Sequence, residues 1–212
     1  MIKIDTLPIE ILEYVYYLSY KIDDIGRSDD KVIIFEDKYI LKISDNKERL
    51  LNEKNKIDFL NGKLPVPKSI LFTYYNDKYY YLRTIINGES LISDRFINNP
   101  SLLISLLAKA VKLLRSLDNV EIPFKSSDSE GSSFIHGDLC LPNIYVNSNN
   151  EISGFIDLDN CGLGDPWYDY AWMLWSLEYN LKNKEYNQML LNEIGISFEE
   201  DKYELYIPKE YR

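Results

Sequence analysis

The sequence predicts an α+β fold, with a mostly antiparallel β half followed by a mostly α half. Three observations predict it. Short extended runs separated by turn residues crowd roughly the first 85 residues. The strongest apolar helix pattern, SLLISLLAKAVKLLRSL at 101–117, comes only after them. Between the two patterns stands Asn87-Gly88, a turn pair suited to a boundary.

The elements follow in order. Residues 8–19 carry apolar positions at helical spacing, with Pro8 suited to a first turn. Extended runs are expected at about 20–25, 31–36 and 38–43, the last two joined by a tight turn at Glu36-Asp37. Ser44 or Asp45 is the expected N-cap of a helix running to about Leu60, with Gly62 beyond its end. Strands at 69–74 and 78–84 flank the turn Asn76-Asp77. These runs make a five-stranded antiparallel sheet with inserted helices. In the second half, the helix at 101–117 is apolar on most sides and so belongs at the centre. A polar loop spans 123–133, and short strands at about 144–146 and 153–157 flank Asn147-Ser148-Asn149-Asn150. The remainder is helical, most clearly in DYAWMLWSLEYNL.

Composition narrows the function classes. The hydrophobic share of 45% and charged share of 27% are those of a globular protein, not of a disordered or collagen-like chain. A net charge of -10 offers no basic field for nucleic acid. It suits cationic small molecules, although solubility alone also accounts for it. No apolar run reaches membrane-span length, and MIKIDTLPIE lacks the basic-then-apolar form of a signal peptide. Two cysteines, Cys140 and Cys161, argue against a disulfide framework and fit a cytoplasmic setting. They lack metal-site spacing, and His136 is the chain's single histidine, so a zinc centre is not expected.

Chemistry concentrates in HGDLCLPN and FIDLDN. Phosphoryl transfer needs positioned phosphates, a divalent ion and a carboxylate near the attacking hydroxyl. Asp138 precedes Asn143 by five residues, a spacing that lets a loop turn back and face both groups to one site. Asp157 ends the next apolar run, where a carboxylate can bind magnesium through oxygen. Taken singly, a loop aspartate is ordinarily a cap or turn residue, Asn143 after Pro142 suits a turn, and His136 suits a structural brace. In the first half, Lys42 sits late in the run YILKI; it either snorkels to water or meets an anion. Glu53, in the following helix, could fix its ammonium by an ion pair. Gly26-Arg27-Ser28 could cover a nucleotide with backbone N–H groups and the Ser28 hydroxyl. No GxxxxGK[ST] occurs, so this is not a Walker-type loop.

Taken together, HGDLCLPNIYV and GFIDLDNCGLGDPWYDYA resemble the catalytic and metal-binding core of aminoglycoside phosphotransferases. YILKIS and NEKNKIDFLNGKLPVPK resemble that family's nucleotide-lysine strand and its glutamate-bearing helix. The resemblance implies a two-lobed protein-kinase-like fold, with a nucleotide-binding lobe at 1–86 and a catalytic and substrate lobe at 87–212. It implies ATP or GTP as donor, bound between the lobes, with Mg2+. Asp138 would be the catalytic carboxylate, and Asn143 and Asp157 would hold the metal. Lys42 would meet phosphates, oriented by Glu53, while Thr84 and Ile86 would offer backbone groups to the purine. HGD and FID stand where typical protein kinases carry HRD and DFG.

The acceptor side resembles the family less. A helical insertion that helps build the family's acidic wall is replaced by one short polar loop, and Leu141 occupies a catalytic-loop position that can be acidic. The C-terminal ELYIPKEYR mixes Glu204 and Glu210 with Lys209 and Arg212. Asp165 is expected to cap the helix after it. An aminoglycoside, another hydroxyl compound such as an amino alcohol or sugar, and a non-catalytic nucleotide-binding module therefore all stand as readings. Oligomeric state is not legible.

Overall fold

The computed structural model describes residues 4–23 and 31–211. Its contacts divide the chain into two compact units, Met1–Asn61 with Pro67–Ile85, and Gly62–Val66 with Ile86–Arg212.

In the first unit, helix α1 (Ile9–Val15) is followed by strands β1 (Tyr20–Asp23), β2 (Lys31–Phe35) and β3 (Tyr39–Ser44). Helix α2 (Lys47–Leu60) and strands β4 (Ser69–Tyr75) and β5 (Lys78–Thr84) complete it. The sheet is antiparallel in the order β1-β2-β3-β5-β4. Strand periodicity sorts its two faces. Ile33, Phe35, Leu41, Ile43, Tyr80 and Leu82 point to one side and join Leu7, Ile11 and Val15 in a core. Lys42 and its register partner Tyr81 lie on the opposite side, and α2 packs against β3, β4 and β5. Asn76 and Asp77 both have left-handed φ, 47° and 57°, the requirement of a type I′ two-residue hairpin.

Two local expectations shift. The helix cap is Asn46, not Ser44 or Asp45: Asn46 is extended and its side chain accepts from Arg49 N. Ser44 still belongs to β3, and its hydroxyl accepts from Asn46 N instead. The first helix closes by Val15, four residues early, with Pro8 as its N-cap.

In the second unit, β6 (Glu89–Ser90) and α3 (Asp94–Ile97) lead into α4 (Pro100–Arg115). Asn99 caps α4 by accepting from Leu102 N, and a proline opens its first turn. Leu103, Ile104, Leu106, Leu107, Ala110, Val111 and Leu114 are all buried, which makes α4 central. Strands β7 (Ser133–Ile135), β8 (Ile144–Val146), β9 (Ile152–Phe155) and β10 (Gly162–Gly164) form two small antiparallel sheets, β10-β7 and β6-β8-β9. Helices α5 (Pro166–Leu181), α6 (Glu185–Ile194) and α7 (Glu200–Tyr206) follow. The segment 62–66 is tied in by Phe155 N donating to Pro65 O.

Candidate active site

The loop between β7 and β8 brings Asp138 and Asn143 into contact. Asn143 Nδ2 donates to Asp138 Oδ2 at 2.8 Å and to its backbone oxygen at 3.0 Å. Cys140 N donates to Asp138 O at 2.8 Å, and Asn143 N to Cys140 O at 3.0 Å, so the loop is wound tightly on itself. Gly137 makes the bend possible. Its φ is +82°, and a Cβ there would come within 2.5 Å of the Asn160 carbonyl oxygen. Asp138 remains partly exposed at the loop's tip.

Asp157 is brought to the same loop through its neighbour: Ile156 N donates to Asn143 O at 3.0 Å. The strand ends at Phe155, earlier than expected, and Asp157 follows in a left-handed conformation with φ +60° and an exposed side chain. Asn143 turns its amide nitrogen to Asp138, and its Oδ1 could serve as a ligand atom. An amide oxygen and a carboxylate suit magnesium, which takes oxygen donors and retains places for phosphate and water. Among the described residues, no three or more of His, Cys, Asp or Glu gather as a metal cage. A metal here would rest on that mixed oxygen set.

Sequence reasoning missed what holds the loop. Asp169 of α5 is buried, and its two oxygens accept from His136 N at 2.7 Å and Gly137 N at 2.9 Å. Two turns on, buried Ser176 Oγ accepts from Leu141 N at 3.1 Å. The signal was available: two polar residues seven apart, on one face of a helix otherwise lined there with apolar side chains. Burial pushes Asp169 up to about 6, against the lowering effect of the two N–H donors. His136 is fully buried, and its Nδ1 accepts from Asp138 N at 3.3 Å. Burial lowers His136 to about 4, against the raising effects of Asp138 and the Ile156 backbone. It is therefore a neutral brace at pH 7. Burial likewise raises the Cys140 thiol, and neither Cys140 nor Cys161 is in a disulfide.

In the first unit, Lys42 Nζ lies 2.6 Å from Glu53 Oε2. Their side chains are 14% and 3% exposed, so the carboxylate is buried while the ammonium keeps an opening. Thr84 N donates to Lys68 O at 2.9 Å, and Lys68 N to Thr84 Oγ1, which commits the Thr84 N–H within the sheet. In the second unit, Ile86 packs on Gly154, where a Cβ would meet its side chain at 2.4 Å. Ser28 lies outside the described residues.

Asp165 caps α5 by accepting from Trp167 N at 3.0 Å. Burial works against its charge, yet Lys202, the Trp167 N–H and the Tyr206 hydroxyl hold its carboxyl below the usual range. Leu141 is fully buried and offers nothing to an acceptor. The polar loop instead borders a cleft of about 790 Å³ lined by residues 125–131, Leu163, Leu205 and Tyr206. Asp128 on this loop accepts from Tyr168 OH at 3.4 Å, and Asp138 adds to the charge felt by that phenol.

The model of the phosphotransferase enzyme family matches residues 128–206, the stretch that holds this loop and α5. The chain resembles that family over this stretch. The chain is 26% identical over 222 residues to a probable aminoglycoside 3'-phosphotransferase of Lactococcus lactis, covering 82% of this chain and 83% of the relative. It is 27% identical to an aminoglycoside 3'-phosphotransferase of Enterococcus faecalis, covering 73% and 75%. Among solved structures, an aminoglycoside phosphotransferase of Streptomyces rimosus superimposes with a TM-score of 0.73 at 17% identity, covering 88% of this chain and 90% of that one. The expected kinase-like α+β fold is the one found.

Proposed function

We propose that the chain is a magnesium-dependent kinase that moves the γ-phosphate of ATP or GTP to a hydroxyl of a small acceptor, with an aminoglycoside the leading candidate. The observation that carries this reading is the hydrogen-bonded Asp138–Asn143 pair, on a loop clamped from behind by Asp169 and Ser176. Asp138 orients the acceptor hydroxyl and takes up its proton as its oxygen bonds to the γ-phosphorus, while the bond from that phosphorus to the β-phosphate oxygen breaks and ADP or GDP leaves. Asn143 and Asp157 would hold magnesium, which supplies charge neutralisation for the phosphates when bound. Lys42, fixed by Glu53, meets nucleotide phosphate oxygens, and the Thr84 carbonyl and the Ile86 backbone serve the purine. The division of labour is a nucleotide-binding lobe at 1–86 and a catalytic and substrate lobe at 87–212.

The relatives' names support the acceptor class, as does a complex of the Streptomyces rimosus enzyme with ADP and streptomycin. A second reading, an amino alcohol or sugar as acceptor, is favoured by one observation: Leu141 is buried and apolar where an acid could have faced a polyamine. Two buried cysteines outside any disulfide fit a cytoplasmic enzyme, and no helix of the described residues is long and apolar enough to cross a membrane.

The test incubates the purified protein with ATP or GTP, with and without magnesium, against aminoglycosides, amino alcohols and sugars. Mass spectrometry reads the products. A mass gain of one phosphate on an acceptor, only with magnesium, is expected. Tight nucleotide binding without transfer to any acceptor would overturn the kinase reading in favour of a binding module.

A further inference from the structure

Arg83 is a buried cation that the reaction as proposed does not use. It lies on β5, two residues beyond Tyr81, the register partner of Lys42, so Arg83 and Lys42 share one face of the sheet as diagonal neighbours. Its side chain is 7% exposed, and its Nε stands 3.5 Å from Glu53 Oε1, while Lys42 holds Oε2. Arg83 is thus within ion-pair distance of Glu53 without being aligned as a hydrogen-bond donor. Its Nε and Nη1 are buried and have no hydrogen-bond acceptor among the described residues.

We infer that Arg83 is a positioning residue of the nucleotide half-site. It is the reserve counterion that keeps Glu53 compensated when Lys42 turns its charge to a nucleotide's phosphates. This rests on the proposed role of Lys42 as a phosphate ligand. Leaving a carboxylate that is 3% exposed without a cation beside it is strongly destabilising. One ammonium cannot neutralise both that carboxylate and a triphosphate. Arginine does not lose its proton, and its planar fork presents donors that a small rotation would bring onto Oε1. The misaligned N–H groups are donors held in place for that shift.

Calorimetry on the full chain with magnesium tests this, using the nucleoside and the non-hydrolysable triphosphate analogue of the preferred purine. The readout is the ratio of triphosphate to nucleoside affinity. Arg83→Met should lower this ratio about tenfold, within the usual range of coupling between sites. Arg83→Lys, which retains a cation, should largely preserve it. Adding Glu53→Gln to Arg83→Met should recover much of the loss, because a neutral amide needs no counterion. Arg83→Gln provides the same test should Arg83→Met fail to fold. An unchanged ratio in Arg83→Met overturns the inference, as do equal losses for nucleoside and triphosphate, or no recovery in the double variant. Lys42→Met separates the two levels. If it leaves the ratio unchanged, the nucleotide reading itself falls. If it lowers the ratio while Arg83→Met does not, only the role of Arg83 falls.

Discussion

Asp138 is a carboxylate whose surroundings are all arranged to fix its position. Its backbone carbonyl accepts from Cys140 N and Asn143 Nδ2, and its Oδ2 accepts from the same amide, leaving the rest of the carboxylate for an acceptor. Asp138→Ala should therefore cut transfer by about a hundred- to ten-thousandfold while largely sparing nucleotide affinity. Steady-state kinetics beside nucleotide calorimetry check this, and parent-like turnover would remove Asp138 from the catalytic role. Asp157 has a different task. It is exposed and held at φ +60° one residue past the Ile156–Asn143 bond, and metal binding is its proposed role. Asp157→Ala should weaken binding of the magnesium–nucleotide complex and leave metal-free nucleotide binding nearly unchanged. Equal affinities for the complex in parent and variant would count against it. The placement of both residues at one loop was legible in the sequence because their spacing and company are local: five residues separate Asp138 from Asn143, and FID announces a strand end. Arg83 was not, since its only mark is a charge inside an apolar strand, and its partner lies 30 residues upstream.

Helix α5 is the element on which the loop depends. Asp169 and Ser176 take three backbone N–H groups that burial would otherwise leave unmet. Asp169→Asn retains the shape but only one acceptor oxygen, so one N–H loses its partner at about 1–3 kcal/mol, read by urea unfolding. The pH dependence is more diagnostic. Asp169 is raised to about 6 from an ordinary 3.8, so its contribution to stability is complete below 3.8 and lost as pH rises through 6. His136 is lowered to about 4 from 6.5, so its contribution is complete above 6.5 and lost as pH falls through 4. Between these limits the two slopes oppose. Deleting the Asp169 slope should expose that of His136: the melting midpoint of Asp169→Asn should fall more steeply than the parent's on acidification from pH 6.5 to 4. Parallel curves would contradict the assignment. Helix α5 itself was legible from its apolar spacing, and Asp165 from its place before a proline. The grip was not, because hydrogen bonds reaching back 32 to 35 residues leave no periodic trace. The α2 cap was misplaced for a related reason. Ser44, Asp45 and Asn46 are all capping types, and only the point where β3 releases the backbone selects Asn46.

At the scale of the whole chain, the sheet was readable because hairpins are local, whereas the pairings β10-β7 and β6-β8 join three-residue and two-residue strands too short to show alternation. Net charge is a whole-chain property that sequence states outright: -10, with Asp128 and Glu130 bordering the cleft beside the loop. Such a field concentrates cations at the surface and repels anions, and salt screens it over about 10 Å at 0.1 M and about 3 Å at 1 M. The nucleotide is anionic whichever acceptor is used, so its salt response is common to every assay. The acceptor's own contribution appears as a difference. For a cationic acceptor, kcat/KM should fall several-fold more between low salt and about 1 M than for an uncharged hydroxyl acceptor measured with the same nucleotide. Asp128→Asn with Glu130→Gln should shrink that difference while leaving the uncharged acceptor's kinetics nearly unmoved. If both acceptors respond to salt alike, the charge serves solubility alone, and recognition of the acceptor must rest on hydrogen bonds and shape.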